Sequence, residues 1–272
     1  MPALNTQHLL TNLPQPGSAR RVVPIKMVLD KGSFRPGFGF TALLIRKDLY
    51  DAGRGHRVDD LRGLSIASLP PGRGGSNVAI LQAAMQRVGA SIEDIDIQAM
   101  AFPDMITALA NGAIDGALIG ESFQSRAVRH GSSVRVMGQD ETYRTSPLAQ
   151  CASRRPFYAN RPAARAFVRG YIRAARDYMA ATAGHTSEPE RARLDEIMSK
   201  DTRIDAAVVR EMIPVGFSPN ALPNQESVLY GYQFFRDQGL IPDPVPDTAL
   251  ATVWGTELVE EVLNEFGRLP ES

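Results

Sequence analysis

Between residues 61 and 137, short apolar runs alternate with stretches in which apolar side chains recur at helical spacing. "GLSIASL" (63–69), "IDIQAM" (95–100), "IDGALIG" (114–120) and "SSVRVMG" (132–138) predict strands. Residues 76–88 carry Val78, Leu81, Met85 and Val88 on one helical face, and Gly89 stops that helix. "PDMITALANG" (103–112) predicts a short helix with proline at its start and glycine at its end, and "ESFQSRAVRHG" (121–131) another. Strand and helix alternating in short steps predict an α/β layer with a mainly parallel sheet.

The flanks read differently. "VPIKMVLD" (23–30) predicts a strand, "DKGSFRPGFG" (30–39) a glycine- and proline-punctuated loop, and "FTALLIRKDL" (40–49) a second apolar run. "PLAQCASRRPF" (147–157) predicts one more strand. Beyond it the chain turns helical: a long amphipathic helix over 161–182, then helices over 187–201, 205–213, 224–239 and 255–268, with a proline-rich crossing at 240–247. The pattern predicts two lobes joined by the runs 38–48 and 145–154. Residues 1–47 and 146–272 form the first lobe, and residues 48–145 the second.

Composition narrows the function classes. The chain has 272 residues, enough for a sizeable core, and thirty basic residues balance thirty acidic ones. That balance gives no reason to expect nucleic acid or an anionic membrane as the main partner. No apolar run reaches the roughly 18 residues of a membrane span, so no direct membrane insertion is expected. The single cysteine, Cys151, excludes an internal disulfide and reads as a buried strand thiol. His8, His56, His130 and His185 are scattered, none with a second histidine at metal-ligand spacing, so neither a metal nor a cofactor is expected. The N-terminal stretch has no basic start and no continuous apolar core, so it does not read as a secretory signal. Arg20-Arg21 lie too late for a twin-arginine export signal.

"LPPGRGGSN" (69–77) is the candidate for chemistry. Strand, glycine turn and helix start in that order often hold an anion. A Walker loop needs Gly-Lys-Ser/Thr, which is absent; a dinucleotide fingerprint needs glycine where Asn77 stands, and an acid about twenty residues on, where Glu93, Asp94 and Asp96 are misplaced. Two readings stay open. Gly74 and Gly75 bring the backbone close to a small anion that Ser76 and Asn77 help hold, or the stretch is a plain N-cap after a loop. The other strand ends on the same edge carry Phe102-Pro103-Asp104 and Gly120-Glu121-Ser122. Glu121 either contacts a cationic or hydroxyl group of a ligand or complements its helix dipole. Asp104 reads as a first-turn acid, and Phe102 as ligand wall or core.

Taken together, "KMVLDKGS", "DLRGLSIA" before the glycine-serine turn, "FPDMITALANGAIDGALIGESF", "YQFFRDQGLIPDPV" and "LVEEVLNEFGRL" resemble a family, over roughly residues 22–268. It is that of the nitrate-, sulfonate- and taurine-type substrate-binding proteins of ABC importers. The same domain type includes binders and synthases of the thiamine-pyrimidine precursor. The resemblance implies a type II periplasmic-binding-protein fold of two α/β lobes with hinge crossovers that close on a small ligand. It implies that Gly74, Gly75, Ser76 and Asn77 form the anion-holding turn, and that Glu121 is the acid closing its strand. Phe34 to Phe40 match the segment entering the crossover, adding both aromatics to the candidate ligand-binding set with Phe102. Members carry a signal peptide and further βα units ahead of the segment that "MPALNTQHLL" resembles, so the first lobe is expected to be incomplete.

The expected function is therefore solute binding for an ABC importer, with its permease and ATPase as partners. Expected ligands are an aliphatic sulfonate, taurine, a nitrate-like anion or a pyrimidine precursor. The family's location is periplasmic; a chain starting here without a signal peptide would be cytoplasmic. The alternatives are a cytoplasmic ligand sensor and a pyrimidine-precursor enzyme on the same fold. No catalytic residue set is visible, so the expectation is a protein that is not an enzyme.

Overall fold

A computed structural model describes residues 3–4, 26–70, 72, 75–142, 150–153, 158–237, 239, 251 and 253–271. The chain falls into two compact units: Met1–Ser33 with Thr145–Leu194 and Gly216–Ser272, and Phe34–Arg144 with Asp195–Val215.

In the first unit, β1 (Ala3–Leu4), β2 (Lys26–Asp30) and β8 (Gln150–Ser153) form an antiparallel sheet in the order β1-β8-β2. The helix expected over 161–182 is α6 (Arg161–Thr182). Its buried stripe of Ala164, Val168, Ile172 and Ala175 follows the three-to-four residue spacing of one helical face. Most of that stripe packs with Val28 and Leu29 of β2 and with Leu258, Val259, Val262 and Leu263 of α10 (Glu257–Phe266). Along the exposed side, Arg161, Arg165 and Arg169 of α6 pair with Glu261 and Glu265 of α10. Cys151 lies in β8 as expected, its side chain outside the described residues. The proline-rich crossing at 240–247 also lies outside them.

The second unit holds a five-stranded sheet. Its strands are β3 (Thr41–Arg46), β4 (Ser65–Ser68), β5 (Asp96–Ala99), β6 (Gly116–Gly120) and β7 (Ser133–Gly138), in the order β5-β4-β6-β3-β7. The strands expected between residues 63 and 138 are all present, but the sheet is mixed rather than mainly parallel. β4 runs parallel to β5 and β6, while β3 runs antiparallel to both β6 and β7. The cause is β3 itself. Within the run read as a crossover, residues 41–45 pair with β6 and residues 42–46 with β7, and Leu43, Leu44 and Ile45 are buried. A strand covered on both faces is apolar throughout and gives no periodic cue to its place or direction.

The short α1 (Lys47–Asp51) follows β3, and further helices cover both faces of this sheet. α3 (Phe102–Asn111) packs against α4 (Phe123–Arg129), and α2 (Ser76–Arg87) against the short α5 (Gln139–Thr142). Met105, Ala108 and Leu109 of α3 and Ala127 of α4 share a core with Leu44, Ala67, Ala117 and Ile119. Strand alternation turns Ile66 and Leu118, both buried, to the opposite face. Pro103 stands in the first turn of α3, and Gly112 ends it in the left-handed conformation at φ 76°. Of the helices read from the sequence beyond residue 187, α7 (Glu188–Thr202), α8 (Ala206–Glu211) and α9 (Gln225–Asp237) all form.

Candidate functional site

β4, β5 and β6 are adjacent and parallel, so their carboxyl ends share one edge of the sheet. From β4 the chain crosses through α2 to β5 on one side; from β5 it returns through α3 to β6 on the other. The gap between β4 and β6 is thus the point where the strand order reverses. In open α/β sheets ligands settle there, outside the carboxyl ends of the strands. The turns that follow β4 and β6 are the two singled out in the sequence.

After β4, the Gly75 N–H donates to the Gly72 carbonyl at 2.8 Å, in a tight turn where Gly72 takes a φ of 71° that side chains disfavour. The Gly75 carbonyl then accepts from the N–H groups of Val78 and Ala79. Gly75 is therefore the N-cap residue of α2, and no side chain caps the helix. The turn's polar residues do not supply the cap: Ser76 and Asn77 both already lie inside the first turn. Their N–H groups belong to the helix start, where the chain offers no intrahelical acceptor. Both residues are half-buried. Gly74 lies outside the described residues.

Beneath this turn sits a residue that sequence reading missed. Ser68 ends β4 and is 1% exposed. Its Oγ finds no hydrogen-bond partner among the described residues. A Cβ placed on Gly75 would stand 3.7 Å from that oxygen and 3.1 Å from the Gly72 carbonyl. The signal was present as a hydroxyl closing an otherwise apolar strand. Gln139, in α5, was missed as well; its Nε2 donates to the Asn77 carbonyl at 3.3 Å, tying the start of α2 to the end of β7.

After β6, the Glu121 N–H donates to the Phe40 carbonyl. The Glu121 carboxylate accepts four hydrogen bonds. Oε1 takes Gln124 Nε2 at 2.7 Å, Ser125 Oγ at 2.8 Å and the Ile213 N–H at 3.1 Å; Oε2 takes the Ser125 N–H at 3.2 Å. An acid that favours its helix N-terminus and also clips residue 213 is thereby held in one orientation.

The aromatic candidates fall into two places. Phe102 begins α3 and packs over Gly120, where a Cβ would meet its ring at 3.3 Å. It lies 5.7 Å from the Phe123 ring and against the core. Phe34 is fully buried and stacks on the half-buried Phe40, centroids 4.9 Å apart and planes within 4°. Phe40 precedes β3, whose Thr41 pairs with Gly120, so this pair stands at the same sheet edge. Next to it, buried Asp140 accepts from the Gly37 N–H at 3.0 Å and faces the Arg135 guanidinium at 3.6 Å. The structure thus brings Gly75, Ser76, Asn77, Phe102, Glu121 and Phe40 to one edge, with Phe34 behind Phe40. Among the described residues, no group of three or more His, Cys, Asp or Glu residues is placed to hold a metal ion, and no described helix is long and apolar enough to cross a membrane.

Known proteins place this architecture. The periplasmic aliphatic sulphonate binding protein SsuA from Escherichia coli superposes with a TM-score of 0.66 at 17% identity, covering 99% of this chain and 77% of that one. The periplasmic nitrate-binding protein NrtA from Synechocystis PCC 6803 reaches a TM-score of 0.71 at 13% identity, covering 97% and 74%. The desulfurization enzyme DszB reaches 0.61 at 14% identity, covering 96% and 84%. At these identities the likeness is one of fold: an α/β architecture of the periplasmic-binding-protein type. No curated protein matches the sequence. The family is carried by the sequence itself: residues 46–188, more than half of the chain and including the turns after β4 and β6, match the NMT1-like family, and the chain belongs to it.

Proposed function

We propose that the protein is the solute-binding component of an ABC importer, taking a small anionic or polar organic solute of the aliphatic sulfonate, taurine, nitrate-like or pyrimidine-precursor class. The carrying observation is the start of α2 at the reversal point of the sheet, with the Ser68 hydroxyl, which has no partner among the described residues, beneath it. The helix dipole and free first-turn amides favour a negative oxygen. In this reading Gly74, Gly75, Ser76 and Asn77 hold the anionic group, and Phe102 and Phe40 wall the remainder of the solute, with Phe34 supporting Phe40. Glu121 fixes the β6–α4 turn and presents any remaining acceptor capacity to a donor on the ligand. The sulphonate-binding and nitrate-binding proteins that share the fold support the class of solute. A permease and an ATPase are the partners this role requires, and a periplasmic location follows from it.

A second reading, an enzyme on the same fold, draws on the likeness to DszB. One experiment separates the two. The purified chain is titrated calorimetrically with methanesulfonate, taurine, nitrate and an aminopyrimidine, and each mixture is then analysed for a changed solute. Binding with the solute recovered intact supports the carrier. Conversion supports the enzyme, and no heat across the panel overturns both.

A further inference from the structure

α5 is a single helical turn, yet two of its adjacent side chains reach the two halves of the candidate site. Gln139 is buried, and its Nε2 donates to the Asn77 carbonyl in the first turn of α2. Asp140 is buried as well, and its Oδ2 accepts the Gly37 N–H at 3.0 Å, across 103 positions of sequence.

Gly37 belongs to a tight turn between the two stacked aromatics. The Phe38 N–H donates to the Arg35 carbonyl at 2.7 Å, Pro36 and Gly37 fill the centre, and Gly37 takes a φ of 83°. These are the marks of a type II turn, with proline at its second position and glycine at its third. The turn's own hydrogen bond uses the Phe38 N–H, so the Gly37 N–H needs an acceptor from outside. Asp140 supplies it. Phe34 enters this turn and Phe40 follows it, and their rings stack with planes within 4°. The turn sets how the rings meet, and Asp140 sets where the turn sits.

The Asp140 carboxylate is itself fixed. It faces the Arg135 guanidinium at 3.6 Å, and Arg135 also reaches Glu141, whose Oε1 takes the Gly138 N–H at 2.8 Å. A Cβ on either Gly39 or Gly138 would collide with the carboxylate, so these two glycines leave it a fitted hole. Breaking the pair with Arg135 would strand a buried charge. Adjacent residues of one rigid turn therefore hold the start of α2 and the aromatic pair at a set offset.

We propose that Gln139 and Asp140 are positioning residues for solute selectivity. Through α5 they fix the spacing between the α2 turn, which takes the anionic group, and Phe40, which walls the organic part with Phe34 behind it. The inference rests on the solute-binding reading and adds to it the device that decides which organic part fits. Each residue acts through a backbone group: Asp140 through Gly37 on the aromatic wall, Gln139 through Asn77 on the anion turn.

The test compares methanesulfonate with butane-1-sulfonate, which share an anionic group and differ in the organic part. Both are titrated calorimetrically into the intact chain and into Asp140→Ala, Asp140→Asn and Gln139→Leu. Asp140→Ala raises the Kd for butanesulfonate roughly tenfold, about what one hydrogen bond to a charged group is worth, and shifts that for methanesulfonate less than about twofold. Asp140→Asn, which keeps an acceptor oxygen for Gly37, recovers most of the lost affinity. Gln139→Leu weakens both solutes by the same factor. Should Asp140→Ala fail to fold, Asp140→Ser, polar but too short to reach Gly37, takes its place with the same expected pattern. The ratio of the two Kd values is the deciding readout, because a merely structural role would weaken both solutes alike or neither. Three results overturn the proposal while the solute-binding reading stands: the Asp140→Ala ratio equals that of the parent, Asp140→Asn behaves as Asp140→Ala does, or Gln139→Leu leaves both Kd values unchanged. A parent chain that binds neither sulfonate overturns the proposal and counts against the sulfonate class of solute as well.

Discussion

Glu121 and Ile213 are 92 positions apart in sequence, yet the Glu121 carboxylate accepts the Ile213 N–H at 3.1 Å. The same oxygen also takes Gln124 and Ser125. The residue that closes β6 is thus the pin that fastens residues 211–213 to the start of α4. Truncating it leaves several half-buried donors without an acceptor, and each such loss carries the desolvation cost of the stranded group. Glu121→Ala is expected to lower unfolding stability by about 2–3 kcal/mol. Glu121→Gln, which keeps one acceptor oxygen, loses less. Chemical denaturation of the two variants gives the order; equal losses would show that the carboxylate holds nothing that an amide does not.

Ser68 and Ser76 should respond in opposite ways. The Ser68 hydroxyl is buried and has no partner among the described residues, so Ser68→Ala removes an unsatisfied group and is expected to leave the free protein as stable or about 1 kcal/mol more stable. Ser76 is half-buried within the first turn, and Ser76→Ala should change stability by less than about 0.5 kcal/mol. Both variants should weaken solute binding. Measuring melting temperature and solute Kd on the same samples separates the effects. A Ser68→Ala protein that melts lower and binds unchanged would make Ser68 a packing residue.

The turns after β4 and β6 were legible in the sequence because each is a local signal. A strand, a glycine turn and a helical pattern lie within a few residues of one another, and the same holds for α3 between Pro103 and Gly112. What escaped was whatever depends on a partner far along the chain. β3 reads as a bare apolar run, and nothing local shows that it inserts between β6 and β7, antiparallel to both. Ser68 reads as the last residue of a strand; its isolation is a property of the turn folded over it. The link from Glu121 to Ile213 has no sequence signature, because a backbone N–H donor is present at any residue but proline.

Gly39 provides a steric test of the edge. Its φ is not in the left-handed range, so the backbone itself accepts any residue. A Cβ there would stand 1.8 Å from Asp140 Oδ1 and 2.6 Å from its Cγ. Asp140 is buried and held by the Gly37 N–H, leaving it little room to retreat. Gly39→Ala is expected to cost about 1–3 kcal/mol. In an Asp140→Ala background the added methyl group finds space, and the same substitution should cost well under half as much. A double-mutant cycle by urea denaturation measures the difference. Additive losses would place the strain elsewhere.

Tyr158, just ahead of α6, is tied to the segment that leads into α10 and gives the first unit a pH signature. Its hydroxyl donates to the Gly255 carbonyl at 2.8 Å. Burial, and secondarily the negative charge of Glu257, push its pKa from 10.0 up to about 12. The phenol thus keeps its proton in the folded chain at pH values where the unfolded chain has lost it. Stability depends on pH through the difference in bound protons. Below pH 10 both states hold the proton, and the contribution is complete. Between pH 10 and about 12 only the folded state does, so stability falls as pH rises. Tyr158→Phe has no proton to lose. It should be less stable near neutrality by about 1 kcal/mol, the hydrogen bond being gone, and should show a shallower decline across that alkaline window. Urea midpoints at pH 9, about 11 and about 12 make the comparison. Parallel curves for the parent and the variant would mean that Tyr158 ionises in the folded chain as freely as in the unfolded one.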